Sequence, residues 1–349
     1  MRKTICRLMA LWIVAAGSSG LPYAQNGSPD IETLHVQGSV YLIAGNGGNI
    51  VAQLGPDGVL LVDTGRADGA EAVLEAIRAL QGNLAFVRPQ RLGFAAETVS
   101  SMERLRATPP PPKPIRYILN THVHADHTGG NTVISAAGAT ITGGNVAGTI
   151  TDAAEGALIW AHENVLGRMA RADLPTDVWP TDTYYKDQYK ISHHMNGEGV
   201  QLIHRPSAHT DGDSLVWFRG SDVIATGDLY TPTSYPIIDL ERGGNIQGVI
   251  DSLNFILELA FPEFRTEGGT MIIPGHGRIS DSADVGYYRD MVTIIRDRVQ
   301  DMVDRGMTLE EVQAAHPTLD YDTIYGSTTG FWTTDMFVES VYASLSAAQ

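Results

Sequence analysis

Cysteine is almost absent from this sequence, because its single cysteine, Cys6, lies within the first few residues. That segment, residues 1–24, combines Arg2, Lys3 and Arg7 with a short apolar run and small residues, a pattern typical of a secretory signal peptide. Its cleavage would leave a mature chain without a thiol. Such a chain forms no disulfide and offers no thiolate to a metal ion, even in the oxidising compartment that export predicts.

The sequence also lacks a hydrophobic run long enough for a membrane span. The apolar stretch of the N-terminal segment covers residues 8–16, whereas a span needs roughly 20 apolar residues. A membrane anchor is therefore the less favoured interpretation, and cleavage near Ala24 or near Gly20 is the favoured one. The pattern predicts a periplasmic or secreted protein with no membrane association after cleavage.

Basic residues are few, with 24 Lys and Arg against 40 Asp and Glu and a formal net charge of −16. Residues 1–24 carry three basic and no acidic side chains, so their removal makes the charge −19. So acidic a surface repels phosphate backbones, which argues against a nucleic-acid partner. The expected partner is a small-molecule substrate, and no sequence feature indicates an oligomeric state.

The hydrophobic pattern alternates between strands and helices in two successive halves. Strands are predicted at residues 33–44, 50–54, 59–62, 115–119, 139–142, 200–203, 214–218, 222–225 and 270–273. Helices are predicted at residues 70–80, 152–171, 246–259, 284–305 and 333–346, and from Thr308, which forms a capping box with Glu311. Glycine-rich residues 45–48 predict a hairpin rather than a phosphate loop, and residues 86–113, which contain a proline run, predict a surface insertion.

Histidines and aspartates are concentrated where predicted strands begin or end. Residues 121–131 read THVHADHTGGN and directly follow a predicted strand. Three further candidates lie in similar loops, and side chains on loops beyond strand ends can converge in one cleft. The full candidate set is His122, His124, Asp126, His127, His209, Asp228 and His276.

Clustered imidazoles repel one another when protonated and need acceptors when neutral, and a bound cation removes this conflict because each neutral imidazole donates a lone pair to it. Seven ligands exceed one tetrahedral ion but suit two ions that share a hydroxide. The predicted division places His122, His124 and His209 on one ion, Asp126, His127 and His276 on the other, and Asp228 between them. Because the set is rich in imidazole and free of thiolate, two Zn²⁺ ions are expected, with Fe or Mn as alternatives.

The motif THVHADH resembles the HxHxDH signature of the metallo-beta-lactamase superfamily, and the ordered series His209, Asp228, His276 resembles its later ligand positions. The resemblance covers roughly residues 32–280. It implies an α/β (α+β) fold, a four-layer αββα sandwich with the dimetal site at the edge of two sheets. It also implies that Asp63 in LVDTG orients the histidine loop. The expected organisation is a signal peptide at 1–24, a catalytic domain at 30–282 and a helical C-terminal extension at 283–349.

Within this superfamily, lactamases with a cysteine ligand are excluded because the mature chain has no cysteine, and the bridging aspartate resembles that of lactonases and glyoxalase II-like thioesterases. Together with the predicted signal peptide, the resemblance implies a secreted hydrolase in which a metal-bridging hydroxide attacks the acyl carbon of an ester, lactone, thioester or lactam. One alternative is a beta-lactamase acting on beta-lactam antibiotics. Others are an iron-dependent thiol or persulfide oxygenase of the same fold and a metal-binding scaffold without catalysis.

Several further residues are candidates for roles at the site. Asp126, Tyr230 and Tyr235 are the catalytic candidates, the tyrosines as hydrogen-bond donors to an oxyanion or leaving group, with packing as an equal alternative. His162 is expected to pack or cap a helix, because no second histidine follows four residues later. His193 and His194 are adjacent, so at most one faces a substrate. An apolar substrate wall is assigned to Trp179, Tyr184 and Tyr185.

Overall fold

The computed structural model describes residues 30–86, 112–139, 156–262 and 268–346. The predicted signal peptide, nearly all of the predicted insertion at 86–113 and most of the predicted strand at 139–142 lie outside these ranges. No helix within the described ranges is long and apolar enough to cross a membrane.

Two β-sheets form the centre of the molecule. The first sheet has the order β1 to β7 and consists of β1 Glu32–Gln37, β2 Val40–Ala44, β3 Ile50–Gly55, β4 Gly58–Val62, β5 Ile115–Leu119, β6 Leu158–His162 and β7 Asp182–Tyr184. The second has the order β12-β11-β10-β9-β8 and consists of β8 Gln188–Met195, β9 Glu198–His204, β10 Ser214–Phe218, β11 Val223–Gly227 and β12 Met271–Pro274. The strands from β4 to β7 pair in parallel, as do β11 and β12, and the remaining neighbours are antiparallel.

Helices cover both outer faces of the sheet pair. The α-helices are Ala70–Phe86, Ala125–Thr128, Asn131–Ala136, Glu163–Arg171, Ile246–Leu259, Ser282–Asp304, Leu309–Ala314, Asp322–Tyr325 and Thr334–Ser346. Short 3-10 helices occupy Ala67–Gly69, Thr176–Val178 and Leu240–Arg242. Helices 70–86 and 131–136 pack on the first sheet, and the helices after residue 245 pack on the second. The expected four-layer αββα sandwich with C-terminal helices is therefore confirmed.

Strand β4 shows why the hydrophobic pattern produces these layers. All five of its residues are buried, and successive side chains of a strand point to opposite faces of the sheet. Val59 and Leu61 accordingly join the core beneath the helices, whereas Leu60 and Val62 join the core between the sheets. A strand buried on both faces holds its C-terminal end rigidly, and the chain continues from that end into Asp63 and the candidate site.

Two predicted elements differ in number or type from those of the structure. The single strand predicted at 33–44 is two strands, β1 and β2, because the chain reverses at Gly38, which has a φ of +59°. The helix predicted at 152–171 is wrong in its central part, since residues 158–162 form β6. There Ile159 and Ala161 are buried, and the strand is paired in parallel with both β5 and β7. Pairing with a neighbouring strand on each side therefore overrides the helical spacing of the apolar residues.

Candidate metal centre

The histidine loop starts where β5 ends, at the C-terminal edge of the first sheet. After the buried residues Asn120 and Thr121, the chain forms one helical turn, Ala125–Thr128. The backbone N–H groups of His127 and Thr128 both donate to the carbonyl of His124, at 3.1 and 3.0 Å. This turn brings the three histidines and Asp126 of the motif to one side of the loop.

The structure brings all seven predicted ligands together in two groups. Within each group the candidate ligand atoms lie within 4.8 Å of one another. The first group consists of His122, His124, His209 and Asp228, and the second of Asp126, His127 and His276. The groups are adjacent, because Nε2 of His127 lies 3.4 Å from Nε2 of His276 while its ring contacts that of His122 at a centroid distance of 4.3 Å.

Asp228 lies between the two groups and directs one carboxylate oxygen to each. Its Oδ2 is 3.9 Å from Nε2 of His122 and 3.8 Å from Nε2 of His209. Its Oδ1 is 3.3 Å from Nε2 of His127 and 3.6 Å from Nε2 of His276. The side chain is almost fully buried, at the end of β11. A carboxylate in this position can contact two cations at once.

The ring nitrogens that face away from the cluster are held by hydrogen bonds. His209 donates from Nδ1 to the carbonyl of Ile237 at 2.7 Å, and His124 donates from Nε2 to Oδ2 of Asp239 at 2.8 Å. These bonds fix the tautomers, so that Nε2 of His209 and Nδ1 of His124 present lone pairs to the cluster. Asp239 was not among the predicted residues, and no motif in its neighbourhood could have identified it.

Two atoms of the cluster test whether a cation fits. Nε2 of His122 and Oδ1 of Asp228 are buried without a hydrogen-bond partner among the described residues. Such an unsatisfied buried group costs about 1–3 kcal/mol. A cation coordinated by imidazole and carboxylate would satisfy both atoms, so the donor set fits divalent metal ions.

The protonation states of the metal-free cluster are unequal. Burial and the neighbouring imidazoles hold the pKa of His122 well below its usual value, and burial lowers the pKa of His209 to about 4. Burial also acts to lower the pKa of His127, but the carboxylates of Asp228 and Asp63 outweigh it and raise that pKa well above the usual value. His127 must therefore lose a proton when a metal binds, which makes metal affinity fall as the pH falls.

A family-level comparison decides what these residues belong to. The model of the metallo-beta-lactamase superfamily matches residues 35–276 of the chain, a range that includes all seven candidate ligands. The chain belongs to the metallo-beta-lactamase superfamily. Members of this superfamily are metal-dependent hydrolases, and the two His/Asp groups indicate divalent metal ions as the cofactor.

Solved structures of superfamily members share the fold at low sequence identity. The stereoselective inverting sec-alkylsulfatase Pisa1 from Pseudomonas sp. aligns with a TM-score of 0.59 and 17% identity, over 89% of this chain and 50% of that chain. The DIM-1 metallo-beta-lactamase aligns with a TM-score of 0.51 and 14% identity, over 76% of this chain and 98% of that chain. A metallo-beta-lactamase from Pontibacter korlensis aligns with a TM-score of 0.50 and 12% identity, over 75% and 99%.

This chain therefore spans about half the length of the alkylsulfatase. At these identities the likeness shows the superfamily fold alone. A search of curated protein sequences gave no significant match.

Asp63 connects β4 to the histidine loop. Its Oδ1 accepts a hydrogen bond from the backbone N–H of Thr121 at 2.7 Å. Its Oδ2 accepts from the Thr121 hydroxyl at 2.7 Å and from Nδ1 of His127 at 2.8 Å. Asp63 has a φ of +61°, a left-handed conformation that is strained for a residue other than glycine. This geometry supports the predicted role of Asp63 in orienting the superfamily's histidine motif.

Replacing Asp63 with asparagine is expected to weaken metal binding by about 10–100-fold, because a residue that orients a ligating histidine typically contributes that much. Competition with a chromophoric chelator measures the affinity. The variant Asp177→Asn, which changes an exposed aspartate, is the matched control and should bind metal like the wild type. Equal affinities in the two variants would contradict the orienting role.

The glycine-rich hairpin between β2 and β3 also contacts the site. The N–H of Gly48 donates to the carbonyl of Asp126 at 3.1 Å. A Cβ atom at Gly48 would lie 2.6 Å from Cε1 of His127 and 3.1 Å from the carbonyl oxygen of Asp126. The hairpin itself was predicted, but its contact with the ligands was not. Only glycine lets the backbone approach the ligand loop this closely.

The structure places the two predicted catalytic tyrosines in the helical layer. The hydroxyl of Tyr230 donates to Oγ of Ser280 at 3.1 Å, and that of Tyr235 donates to Oδ1 of Asp322 at 2.7 Å. Both rings are fully buried, and burial raises the pKa of Tyr230 to about 12. Their hydroxyls are engaged in hydrogen bonds of the core, so the geometry favours packing over donation to a substrate, the two alternatives that the sequence left open.

Two of the three residues of the predicted aromatic wall, Trp179 and Tyr184, make hydrogen bonds within the fold. Tyr184 is buried and its hydroxyl is hydrogen-bonded to Ser214 at 2.6 Å, while the Trp179 indole donates to the carbonyl of Leu174 at 3.0 Å. Tyr185 is exposed, with 70% of its surface accessible. His193 and His194 lie within β8. The walls of the cavity at the metal centre are formed by other residues, described below.

His162 caps a helix, as predicted. It lies at the end of β6, and its Nδ1 accepts a hydrogen bond from the N–H of Asn164 at 3.3 Å, at the start of helix Glu163–Arg171. Its ring stacks on that of His204 at a centroid distance of 3.6 Å. Burial, followed by the proximity of His204, lowers the pKa of His162 to about 4.

This depressed pKa predicts a loss of stability in acid. The unfolded chain binds the proton near pH 6.5, whereas the folded chain binds it only near pH 4. The free energy of unfolding should therefore decrease as the pH is lowered from 6.5 to 4. The expected contribution of His162 is about 1–3 kcal/mol. Denaturant unfolding of wild type and His162→Asn, which retains a capping acceptor, should show a smaller decrease in the variant over this window. Parallel pH profiles would contradict the assignment.

Proposed function

We propose that the chain is a secreted dinuclear-metal hydrolase that cleaves an ester, lactone, thioester or lactam at its acyl carbon. The observation that supports two ions most directly is the position of Asp228, whose Oδ2 faces His122 and His209 while its Oδ1 faces His127. The N-terminal sequence pattern supports export to the periplasm or beyond.

In this proposal His122, His124 and His209 hold the first ion, and Asp228 contributes one oxygen to each ion. The second ion takes the ligands Asp126, His127 and His276. Zn²⁺ suits this thiolate-free set of imidazoles and carboxylates best, and Fe or Mn would accept the same ligands. Two such ions, when bound, supply a nucleophile derived from water and polarise the acyl oxygen.

The side chains around the ions have separate tasks. Asp63 and Asp239 accept hydrogen bonds from ligand histidines and hold their rings in register. Asp126 is the acidic ligand that is more open to solvent, with 37% of its side chain accessible against 5% for Asp228. We assign Asp126 a second task, which is to accept a hydrogen bond from the reacting water.

The alternatives have less support from the site. Beta-lactam antibiotics carry a carboxylate, whereas the cavity at the metal centre is lined by Asp239, Glu241 and Glu339 and by no lysine or arginine from the described residues. An oxygenase with one iron would use only one of the two ligand groups that Asp228 connects. Hydrolysis with two ions uses all seven side chains.

A panel of acyl substrates tests the proposal. It should include an ester, a lactone, a thioester and a chromogenic cephalosporin, each assayed with and without chelator, with oxygen uptake followed in parallel for a thiol substrate. We expect hydrolysis of at least one ester, lactone or thioester, loss of that activity in chelator, recovery with Zn²⁺, and no oxygen consumption. Oxygen consumption with a single bound iron, or preferential hydrolysis of the cephalosporin, would replace this function by one of the alternatives.

A further inference from the structure

A cavity of about 980 Å³ opens directly from the metal centre, and the C-terminal helical segment forms its far wall. On the near side it is bounded by ligands, including His124, Asp126 and His276. Its volume is typical of sites that bind small molecules. This cavity gives a substrate bound at the ions room to extend towards the C-terminal segment.

The far wall is apolar. It is formed by the side chains of Phe331, Trp332 and Met336 from the C-terminal segment and of Ile237 and Leu240 from the loop after β11. Phe331 is 81% exposed, Leu240 41% and Met336 40%. Exposed large apolar side chains that meet in one cavity mark a ligand-binding surface, because burying them against an apolar ligand is favourable.

The charged side chains beside the apolar wall are acidic. Glu241 and Glu339 are exposed side chains that line the cavity. The nearby guanidinium groups are already paired, since Arg242 contacts Asp239 at 2.6 Å and Arg168 contacts Asp211 at 2.7 Å. A negative charge on the distal part of a substrate would therefore meet repulsion and find no free cation on the described part of the wall.

We propose that this wall determines specificity and that the substrate is an uncharged ester or lactone whose acyl part carries a long apolar chain. The chain contacts Phe331, Trp332 and Met336 while the acyl carbon lies at the metal centre. The oxygen of water forms the new bond to the acyl carbon, the bond from that carbon to the alcohol oxygen breaks, and the alcohol leaves with a proton. This inference rests on the proposed hydrolase function and adds the class of substrate to it.

The test is a series of p-nitrophenyl esters from acetate to decanoate, assayed with the zinc-loaded enzyme. We expect kcat/KM to rise with chain length by up to about fourfold per methylene that reaches the wall. The double variant Phe331→Ala with Met336→Ala should lose about tenfold or more with decanoate and change little with acetate. The matched control, Phe261→Ala with Tyr287→Ala, alters exposed aromatics that do not line the cavity and should retain the wild-type profile.

The acidic residues are tested with an ester that ends in a carboxylate, compared with the neutral ester of equal length. The double variant Glu241→Gln with Glu339→Gln should raise kcat/KM for the carboxylated ester roughly fivefold and leave that for the neutral ester unchanged. An equal effect on both esters would overturn the charge assignment. Thermal unfolding of each variant verifies that it is folded.

A binding measurement separates failure of this inference from failure of the proposed function. Calorimetric titration of the metal-free protein with 2-tridecanone, a neutral apolar ketone, should show binding that the Phe331 and Met336 double variant weakens. Ester hydrolysis without chain-length preference, and without an effect of the variant, overturns the inference and leaves the hydrolase. If no ester, lactone, thioester or lactam reacts, or if dodecyl sulfate is cleaved instead, the acyl-carbon function fails. The ketone titration then tests, independently of hydrolysis, whether the apolar wall binds an apolar chain.

Discussion

Replacing Asp228 with alanine is expected to reduce kcat/KM for any acyl substrate by on the order of 1000-fold or more. Asp228 is the side chain that reaches both ligand groups, with its Oδ2 near His122 and His209 and its Oδ1 near His127. In the proposed dinuclear site its loss would remove one ligand from each ion and the negative charge that offsets them. Metal content per chain, measured by elemental analysis after dialysis, should therefore fall together with the rate.

The matched control for this prediction is Asp290→Ala, which removes an exposed carboxylate that is paired with its neighbour Arg289. Exposed pairs of this kind contribute little, so activity and metal content should remain those of the wild type. The variant Asp228→Asn keeps the shape of the side chain and removes its charge, and it should resemble the alanine variant. Full activity in Asp228→Asn would contradict a role for this carboxylate between two cations.

Removing the metal is expected to lower the melting temperature by about 8–16 °C. A ligand present at a thousand times its dissociation constant stabilises the folded state by about 4 kcal/mol, and each kcal/mol corresponds to roughly 2–4 °C in a domain of this size class. Removal of the metal destabilises the fold because Nε2 of His122 and Oδ1 of Asp228 are then buried without a hydrogen-bond partner among the described residues. Thermal unfolding with and without chelator measures it.

The same measurement at pH 5.5 and pH 8 gives the control. His127 has a raised pKa because of Asp228 and Asp63, so protons compete with the metal as the pH falls. The difference between metal-loaded and chelated protein should therefore shrink at pH 5.5. A chelator that leaves the melting temperature unchanged at pH 8 would mean that the cluster holds its geometry without a cation.

The ligands were predictable because their signal is local. Four of the seven lie within one loop, and the other three follow or precede apolar strands whose ends meet at one edge of the sandwich. Strand ends that are buried on both faces, such as that of β4, position loops with little freedom. Strand β5 and helix Ile246–Leu259 have the bounds that the hydrophobic pattern predicts.

The parts that escaped prediction depend on contacts between distant segments. Asp239 accepts a hydrogen bond from His124, which lies more than a hundred residues earlier in the chain. Gly48 is required because a side chain there would collide with His127. Tyr230 is close to Asp228 in sequence, yet its hydroxyl turns to Ser280 because the buried helical layer offers a partner there. Proximity to Asp228 along the chain therefore does not show which partner the Tyr230 hydroxyl takes, and no local motif indicates Asp239.

The apolar wall of the cavity was also beyond sequence reasoning. Residues 331–343 follow the matched superfamily region and carry no motif. Helix Thr334–Ser346 returns to the metal centre because Phe337, Val338 and Val341 pack into the core beneath it. That packing leaves Met336 facing the cavity.

The most direct test of two cations held by seven side chains is X-ray diffraction from crystals of the zinc-loaded protein, recorded on both sides of the zinc absorption edge. The predicted result is two anomalous peaks per chain. One should lie among His122, His124 and His209, the other among Asp126, His127 and His276, with Asp228 contacting both. A single peak, or peaks outside this cluster, would contradict the account.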